Sequence, residues 1–404
     1  MNYDEIKAHI SSRRKMQENT IDEFILYYGD EKNRLSVEFD AKLFPFKHIA
    51  KKIPVEFINR LRAAYMAHQI FKKDGHIHKY INQNAIKNLQ IEKQNHLAFY
   101  IEHPWKFVFS VIIDNPATDF YVMENAFTNE RHLLYSPGMT QTMVSYTPQL
   151  WLLLTAYNGQ CWETYGPIIG LKGFHPDDIY FFATEVNPKI EDENDLVGYL
   201  QQHPLPFLML MAYSDVPVVV HSNHQFEYNV SHESITEYNI DALSHSFELT
   251  NKNGVYKLVL PSCHQFPHFA AGYLDTNTNS LFRMSHTAFG FEQISQALIA
   301  SGFPLDEDAD IRLSIGMKIA ASEILKRDIE FNPFAHLFND PEEDEADDEN
   351  EETVKKINDF IKILLPYINT NKEPDLKKLA ENSGISLSKA TALYQLIQNK
   401  RNSL

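Results

Sequence analysis

The sequence predicts an α+β protein with four parts: a helical N-terminal region, an antiparallel β-rich middle that forms a small barrel or sheet, an α+β region of hairpins and helices, and a small all-α C-terminal module. Short apolar runs recur at near-regular spacing through the middle of the chain. An Asn-Gly pair joins two alternating runs, and an acidic block precedes a last segment of helical periodicity. The predicted boundaries are a mainly helical region 1–94, a β-rich domain 95–200, an α+β domain 201–338, an acidic linker 339–354 and a helical module 355–404.

Helical signals dominate the first part of the chain. Pro54 stands where a first-turn proline favours a helix start, and apolar residues follow at helical spacing. Residues 35–39 alternate between apolar and polar side chains, and this alternation predicts a strand.

The middle part changes to short runs rich in β-branched and aromatic residues. Such runs, separated by turn residues such as Asn158-Gly159, indicate an antiparallel sheet or barrel. The predicted strands are 107–113, 120–123, 132–135, 150–157, 162–169 and 179–186.

The third part contains both helical and strand periodicities. Its clearest feature is a hairpin centred on Asn253-Gly254, because both central positions of the favoured two-residue turn accept these residues. A second hairpin pairs 271–274 with 281–284. Strands are also predicted at 207–213, 216–221 and 226–230, and helices at 291–301 and 311–328.

Charge is distributed unevenly along the 404 residues, whose formal net charge is -17. Residues 339–354 hold ten carboxylates and no base, so this segment is predicted to stay solvated as a linker. Residues 355–404 hold nine Lys and Arg against four Asp and Glu, and residues 1–338 carry about -12. An acidic body repels phosphate backbones, so nucleic acid is expected to bind only through 355–404.

The C-terminal module resembles a helix-turn-helix. Ala380 is the small residue where two helices approach, Gly384 follows at the turn, and Ile385, Ala390 and Leu393 occupy the apolar positions of that motif. The resemblance implies that the helix from Ser388 would enter a major groove. The candidate nucleic-acid-binding residues are Lys389, Gln395, Lys400 and Arg401. Because that helix has few cations, the alternative is a helical hairpin that packs on the body or on another chain.

A second resemblance concerns the body. The run YVMENAFTNERHLLY, residues 121–135, is similar to a strand–turn–strand element of uncharacterised bacterial proteins, some of which carry a SEC-C zinc motif. The hairpin and helix of residues 272–301 are similar to a later element of the same proteins. The SEC-C cysteines are absent here, so the resemblance implies an architecture but no zinc site and no activity.

Histidine is enriched between residues 203 and 286, which hold eight of the 18 histidines. Imidazole and thiolate both bind Zn²⁺, so Cys263, His264, His268 and His286 are the weak candidates for a metal site. The spacing argues against one, because Pro267 disfavours the helix that would align His264 with His268. We therefore predict no metal and no cofactor, with satisfied or exposed histidines instead.

Compartment and partners follow from composition. The chain has two cysteines, a charged N-terminal segment and no apolar run long enough to span a bilayer. These features predict a cytoplasmic protein with reduced thiols and no membrane partner. Since no G-x-S-x-G, P-loop or G-x-G-x-x-G motif occurs, the preferred interpretation is a non-enzymatic binding protein with a protein partner. A DNA-associated regulator that uses the C-terminal module and an enzyme of unrecognised type are the alternatives.

Overall fold

The computed structural model describes residues 2–143, 150–214, 220–221, 224–236, 238–265 and 267–338, and further on 356, 360, 363–364, 367, 374–387, 390–391 and 394. The chain divides into two compact units, Met1–Phe331 and Asn332–Leu404. The fold class is α+β, as predicted. The boundaries predicted inside the first unit stay predictions.

Helices form the N-terminal region. They are α1 (Tyr3–Gln17), α2 (Leu26–Asn33), α3 (Leu35–Leu43), α4 (Lys47–Ala50), α5 (Val55–Phe71), α6 (Ile77–Tyr80), α7 (Asn84–Lys87) and α8 (Ile91–Glu102). A π-helical segment, Glu18–Ile25, joins α1 to α2. Helix α5 begins directly after Pro54, which confirms the predicted helix start.

The strand predicted at residues 35–39 is wrong, because this segment lies in α3. Leu35 and Phe39 are buried, whereas Val37 is 48% exposed. A strand would have placed all three on one face, but a helix places only the first and last together. The spacing of the two buried residues was therefore the decisive signal.

A closed five-stranded barrel follows, with neighbours in the order β1-β2-β3-β5-β4. Its strands are β1 (Lys106–Ala117), β2 (Phe120–Asn125), β3 (Arg131–Tyr135), β4 (Leu150–Tyr157) and β5 (Trp162–Leu171), with α9 (Pro137–Thr142) between β3 and β4. The small barrel is thus confirmed. Val108, Trp151 and Leu153 belong to a separate apolar cluster, while Phe107 and Phe109 on the opposite face of β1 join the main core with the helices. Val108, Trp151 and Leu153 therefore face the inside of the barrel.

Two further predicted strands are helical. Residues 179–186 lie in α10 (Pro176–Val186), where Ile179, Phe182 and Ala183 are buried at helical spacing. Residues 207–213 lie in α12 (Leu205–Met209) and the 3₁₀ turn after it. That segment is buried nearly throughout, and a continuous apolar run does not distinguish a buried strand from a buried helix. Helix α11 (Glu193–Gln202) lies between them.

A six-stranded antiparallel sheet completes the first unit, in the order β13-β8-β12-β11-β10-β9. The strands in and beside it are β6 (Val220–His221), β7 (His224–Gln225), β8 (Glu227–Ser234), β9 (Glu248–Lys252), β10 (Val255–Val259), β11 (Ala270–Asp275), β12 (Ser280–Ser285) and β13 (Ile311–Ser314). The helices are α13 (Ile240–Leu243), α14 (Ala288–Ala300) and α15 (Ile315–Leu325). Asn253 and Gly254 have φ of 57° and 83°, so the predicted hairpin turn is confirmed.

The second predicted hairpin and the helix after it are also confirmed, as β11, β12 and α14. The helix predicted at residues 311–328 is wrong at its start, where β13 pairs with β8. Only Ile315–Leu325 is helical. The strand was missed because its four residues are too few to show an alternation.

In the second unit the described helices are α16 (Ala335–Phe338) and α17 (Leu376–Ser383). Asp375 caps α17, and Gly384 ends it with φ of 68°. Phe360, Leu379 and Ala390 belong to one apolar cluster. The residues of the predicted acidic linker lie outside the described residues.

The side chain of Gln201 connects the barrel to two helices. Its Oε1 accepts the Phe107 N–H at 2.9 Å and its Nε2 donates to the Phe107 carbonyl at 2.8 Å. His68 Nε2 of α5 lies 3.2 Å from the same Oε1. Phe107 pairs with β4 on one side, and β2 pairs with β1 only from Ser110 onward. Gln201 thus satisfies backbone groups for which the barrel has no strand.

We expect Gln201→Leu to lower the free energy of unfolding by about 2–4 kcal/mol, because it leaves two backbone groups of β1 without their partner. Denaturant unfolding measures the change. Gln202→Leu is the matched control, since Gln202 is the exposed next residue of α11. Equal effects of the two substitutions would contradict the assigned role.

Candidate functional site

The buried carboxylate of Asp178 joins α10 to β13. Its Oδ2 accepts the His175 N–H at 2.8 Å, which caps the start of α10, and its Oδ1 accepts the Ser314 N–H at 2.7 Å. Asp178 is fully buried. The last residue of β13 is therefore held against the first turn of α10.

Burial raises the pKa of Asp178 to about 6, while the backbone N–H groups of His175 and Ser314 act in the opposite direction. The loss of hydration thus outweighs two hydrogen bonds. The carboxylate is charged at neutral pH, and burial of this charge lowers the free energy of unfolding.

A cleft of about 570 Å³ opens beside this contact, and we call it the first cleft. It is lined by Phe127, Pro176, Asp177, Tyr180, Phe181, Thr184, Asp192, Glu193, Asp310 and Ile311. Phe127 is held by its N–H bond to Asn125 Oδ1, at 2.9 Å. The apolar part of the lining comes from the turn after β2, from α10 and from β13.

Four carboxylates line the first cleft, and none of its lining residues is basic. Asp177 lies in the first turn of α10 and Glu193 in that of α11, where a helix dipole favours negative charge. Asp192 also caps α11 by accepting the Asp195 N–H at 2.8 Å. Two helix starts converge here, so the same charges that suit the helices collect around an apolar floor.

A second cleft, of about 380 Å³, includes β8, α14 and the segment before β13 in its lining. It is lined by Asn229, Ala288, Phe289, Phe291, Glu292, Glu307, Asp308, Ala309 and Arg312. Asn229 is 1% exposed, and its side chain interacts with the carboxylate of Glu227.

Buried Arg283 holds one wall of the second cleft. Its guanidinium forms an ion pair with Glu233, and Nη1 donates to the carbonyl of Asp306 at 2.9 Å. The same group lies over the Phe291 ring, 4.8 Å from its centroid. The acidic residues that follow Asp306 are therefore anchored at their start.

The four metal candidates have different surroundings. Cys263 is buried in the apolar cluster under α14, and His264 Nδ1 contacts the Pro261 carbonyl. His268 Nδ1 lies 3.0 Å from Thr287 Oγ1. His286 packs among the rings of residues 226, 228 and 269. No group of three or more His, Cys, Asp or Glu side chains able to hold a metal ion occurs among the residues that the structure describes.

The candidate nucleic-acid-binding residues Lys389, Gln395, Lys400 and Arg401 lie outside the described residues. Both clefts were missed by sequence reasoning. The lining of the first joins residue 127 to 176–193 and 310–311, and local periodicity contains no information on such distances. The available signal was the density of carboxylates at residues 306–310 and at the starts of α10 and α11.

The chain has no match among protein-family models, curated proteins or solved structures. In the part of the chain that the structure describes, no helix is long and apolar enough to cross a membrane. The two clefts and the charges around them are therefore the features that indicate a function.

We expect the free energy of unfolding of the unaltered protein to rise relative to that of Asp178→Asn as pH falls. The pKa of Asp178 is raised to about 6 in the folded state, so folding takes up a proton between this value and the ordinary carboxyl pKa. The difference in unfolding free energy between the two proteins should change by about 1–1.5 kcal/mol in favour of Asp178 between pH 7.5 and pH 5. Denaturant unfolding at both pH values measures it.

Asp177→Asn is the control for this experiment, because it makes the same change at the exposed neighbouring residue. The change in unfolding free energy between the two pH values is expected to be larger for Asp178→Asn than for Asp177→Asn. A constant difference for Asp178→Asn would refute the assigned pKa.

Proposed function

We propose that this chain is a non-enzymatic protein-interaction module whose first cleft binds a partner segment that presents a basic side chain next to an apolar one. The observation that supports this most directly is the combination of an aromatic floor with four carboxylates and no base in the lining. Clefts with a mainly apolar lining and a few placed polar groups are the usual form of a binding site.

The lining matches the two parts of a lysine or arginine side chain. The aliphatic stem packs on rings such as Phe127 and Tyr180, and the charged head reaches the carboxylates of Asp177 or Glu193. Aromatic faces attract cations as well, which adds to the same preference. An acidic ligand would meet four like charges.

The charge of the whole chain also favours basic partners. The formal net charge is -17, and residues 1–338 contribute about -12 of it. This field attracts basic partners and accelerates their encounter with the body, most strongly at low salt. Acidic partners and nucleic acid are repelled from the body.

We expect the double substitution Asp177→Asn and Glu193→Gln to weaken binding of a basic probe about five- to tenfold, because two exposed charge pairs are lost. The probe is a fluorescein-labelled peptide of alternating arginine and leucine, here called the RL peptide. Fluorescence anisotropy measures its Kd at low and at physiological salt. The same peptide with glutamate in place of arginine should not bind.

Glu92→Gln with Glu102→Gln is the matched control, because it removes two carboxylates from α8, which does not line the cleft. The control should leave the Kd of the RL peptide nearly unchanged. Equal weakening by both pairs would mean that only net charge matters, and the proposed site would be wrong.

DNA binding by residues 355–404 is the second candidate function. It is favoured by the left-handed Gly384 after α17 and by the shared cluster of Ala380 and Ala390, which match the spacing of a helix-turn-helix. Residues 355–404 hold nine bases against four acids, so this segment has a net positive charge.

For this candidate we expect the full chain to shift a DNA duplex at low salt. Substitution of Lys389, Lys400 and Arg401 by Ala should abolish the shift, because phosphate contacts supply most of the affinity. Lys32→Ala, Lys73→Ala and Lys79→Ala together are the control, since they remove equal charge from the N-terminal helical region. If the unaltered chain shifts no duplex, DNA binding is excluded.

A further inference from the structure

Strand β13 leaves one edge of the six-stranded sheet open. It pairs with β8 on one side, and no strand among the described residues pairs with its other side. The Ser314 N–H points to that other side, where it meets Asp178. The backbone N–H and C=O groups of successive residues in an antiparallel strand point to alternate sides. Those of Arg312, two residues before Ser314, therefore point to the same open side as the Ser314 N–H.

The two clefts lie on opposite faces of this strand. Ile311 lines the first cleft and Arg312 lines the second, and successive side chains of a strand point to opposite faces. Ile311 and Arg312 are both exposed. A chain laid along the open edge would therefore have a cleft above it and a cleft below it.

Both clefts select for positive charge. Four carboxylates line the first, and three line the second, where Arg312 is the one base. Asp308 Oδ1 lies 3.3 Å from Arg312 Nη2, and this ion pair partly neutralises the charge of Arg312. The balance favours a ligand whose basic side chains enter at least one of the two clefts.

Asn229 lies in β8 directly opposite Arg312 and is 1% exposed. Its side chain interacts with the carboxylate of Glu227, and this interaction, together with Arg312 and His175, opposes the rise in the pKa of Glu227 that burial causes. The carboxylate of Glu227 therefore adds to the negative charge near Arg312.

We propose that an extended basic segment of a partner protein adds to the open edge of β13 as a further strand, with alternate side chains entering the first and the second cleft. The inference rests on the proposed function, which concerns the first cleft alone. Backbone hydrogen bonds to Arg312 supply affinity, and the two clefts supply specificity. Asp178 ends the added strand at Ser314, because the Ser314 N–H is already bound.

An added strand explains the arrangement better than a small ligand does. Side chains on the same face of a strand recur about every 7 Å, so a segment of a few residues reaches from the acidic residues before β13 to Arg312. A small cation would occupy one cleft and leave the open backbone groups of the edge unused. The edge strand is short, which is one way natural proteins restrict unwanted pairing.

The test compares Arg312→Pro with Arg312→Ala in binding of the RL peptide by the full chain. Proline removes the N–H at the open edge, and edge strands tolerate proline there. Both substitutions remove the same charge, so alanine controls for the side chain. We expect proline to weaken binding at least about tenfold relative to alanine. Circular dichroism and thermal unfolding confirm that both variants are folded.

Two N-methylated forms of the RL peptide provide a second test that needs no protein variant. One carries N-methyl groups on every arginine and the other on every leucine. Only alternate N–H groups of an added strand face β13, so one form should lose binding at least about tenfold while the other retains it. This result also decides the question if Arg312→Pro fails to fold.

The outcomes separate the two proposals. Equal binding by Arg312→Pro and Arg312→Ala, together with equal binding by the two methylated peptides, overturns strand addition. If the Asp177→Asn and Glu193→Gln pair still weakens binding in that case, the first cleft remains the binding site. Failure of the unaltered protein to bind the RL peptide overturns both.

Discussion

The two hydrogen bonds of the Asp178 carboxylate hold the start of α10 against the last strand of the six-stranded sheet. One bond caps α10, which packs in the core with the barrel, and the other holds the end of β13 in the six-stranded sheet. Residues at the start of α10 and in β13 line the first cleft, so this contact joins two parts of its lining, and it also ends the open edge at Ser314. Its cost is a buried charge whose pKa is raised to about 6. A neutral side chain would avoid that cost, but it would not accept both N–H groups equally well.

The acidic residues around the clefts have structural reasons for their positions besides the binding role that we propose. Asp192 caps α11, and Asp177 and Glu193 lie where helix dipoles favour carboxylates. Structure alone would therefore explain each residue by itself. It does not explain why these helix starts and the acidic segment before β13 converge on aromatic side chains, and this convergence is what makes a binding role the better interpretation.

Buried polar groups under α14 place the second cleft. Arg283 is fully buried and bonds to Glu233, Ser295 and the Asp306 carbonyl. An ion pair of this kind adds little net stability, because desolvation offsets its attraction, but it specifies one arrangement of the chain around it. Here that arrangement includes the acidic segment that separates the two clefts.

Local patterns of the sequence determined the fold class, the barrel strands, the Asn253-Gly254 hairpin and the start of α5, because turn chemistry and short-range periodicity specify these elements without distant contacts. They did not determine the state of residues 35–39 or 207–213, where burial by other elements decided between helix and strand. The clefts could not be predicted either. The Phe127 ring, the start of α10 and β13 come together only through long-range packing and the Asp178 contact, and no local pattern records that distance.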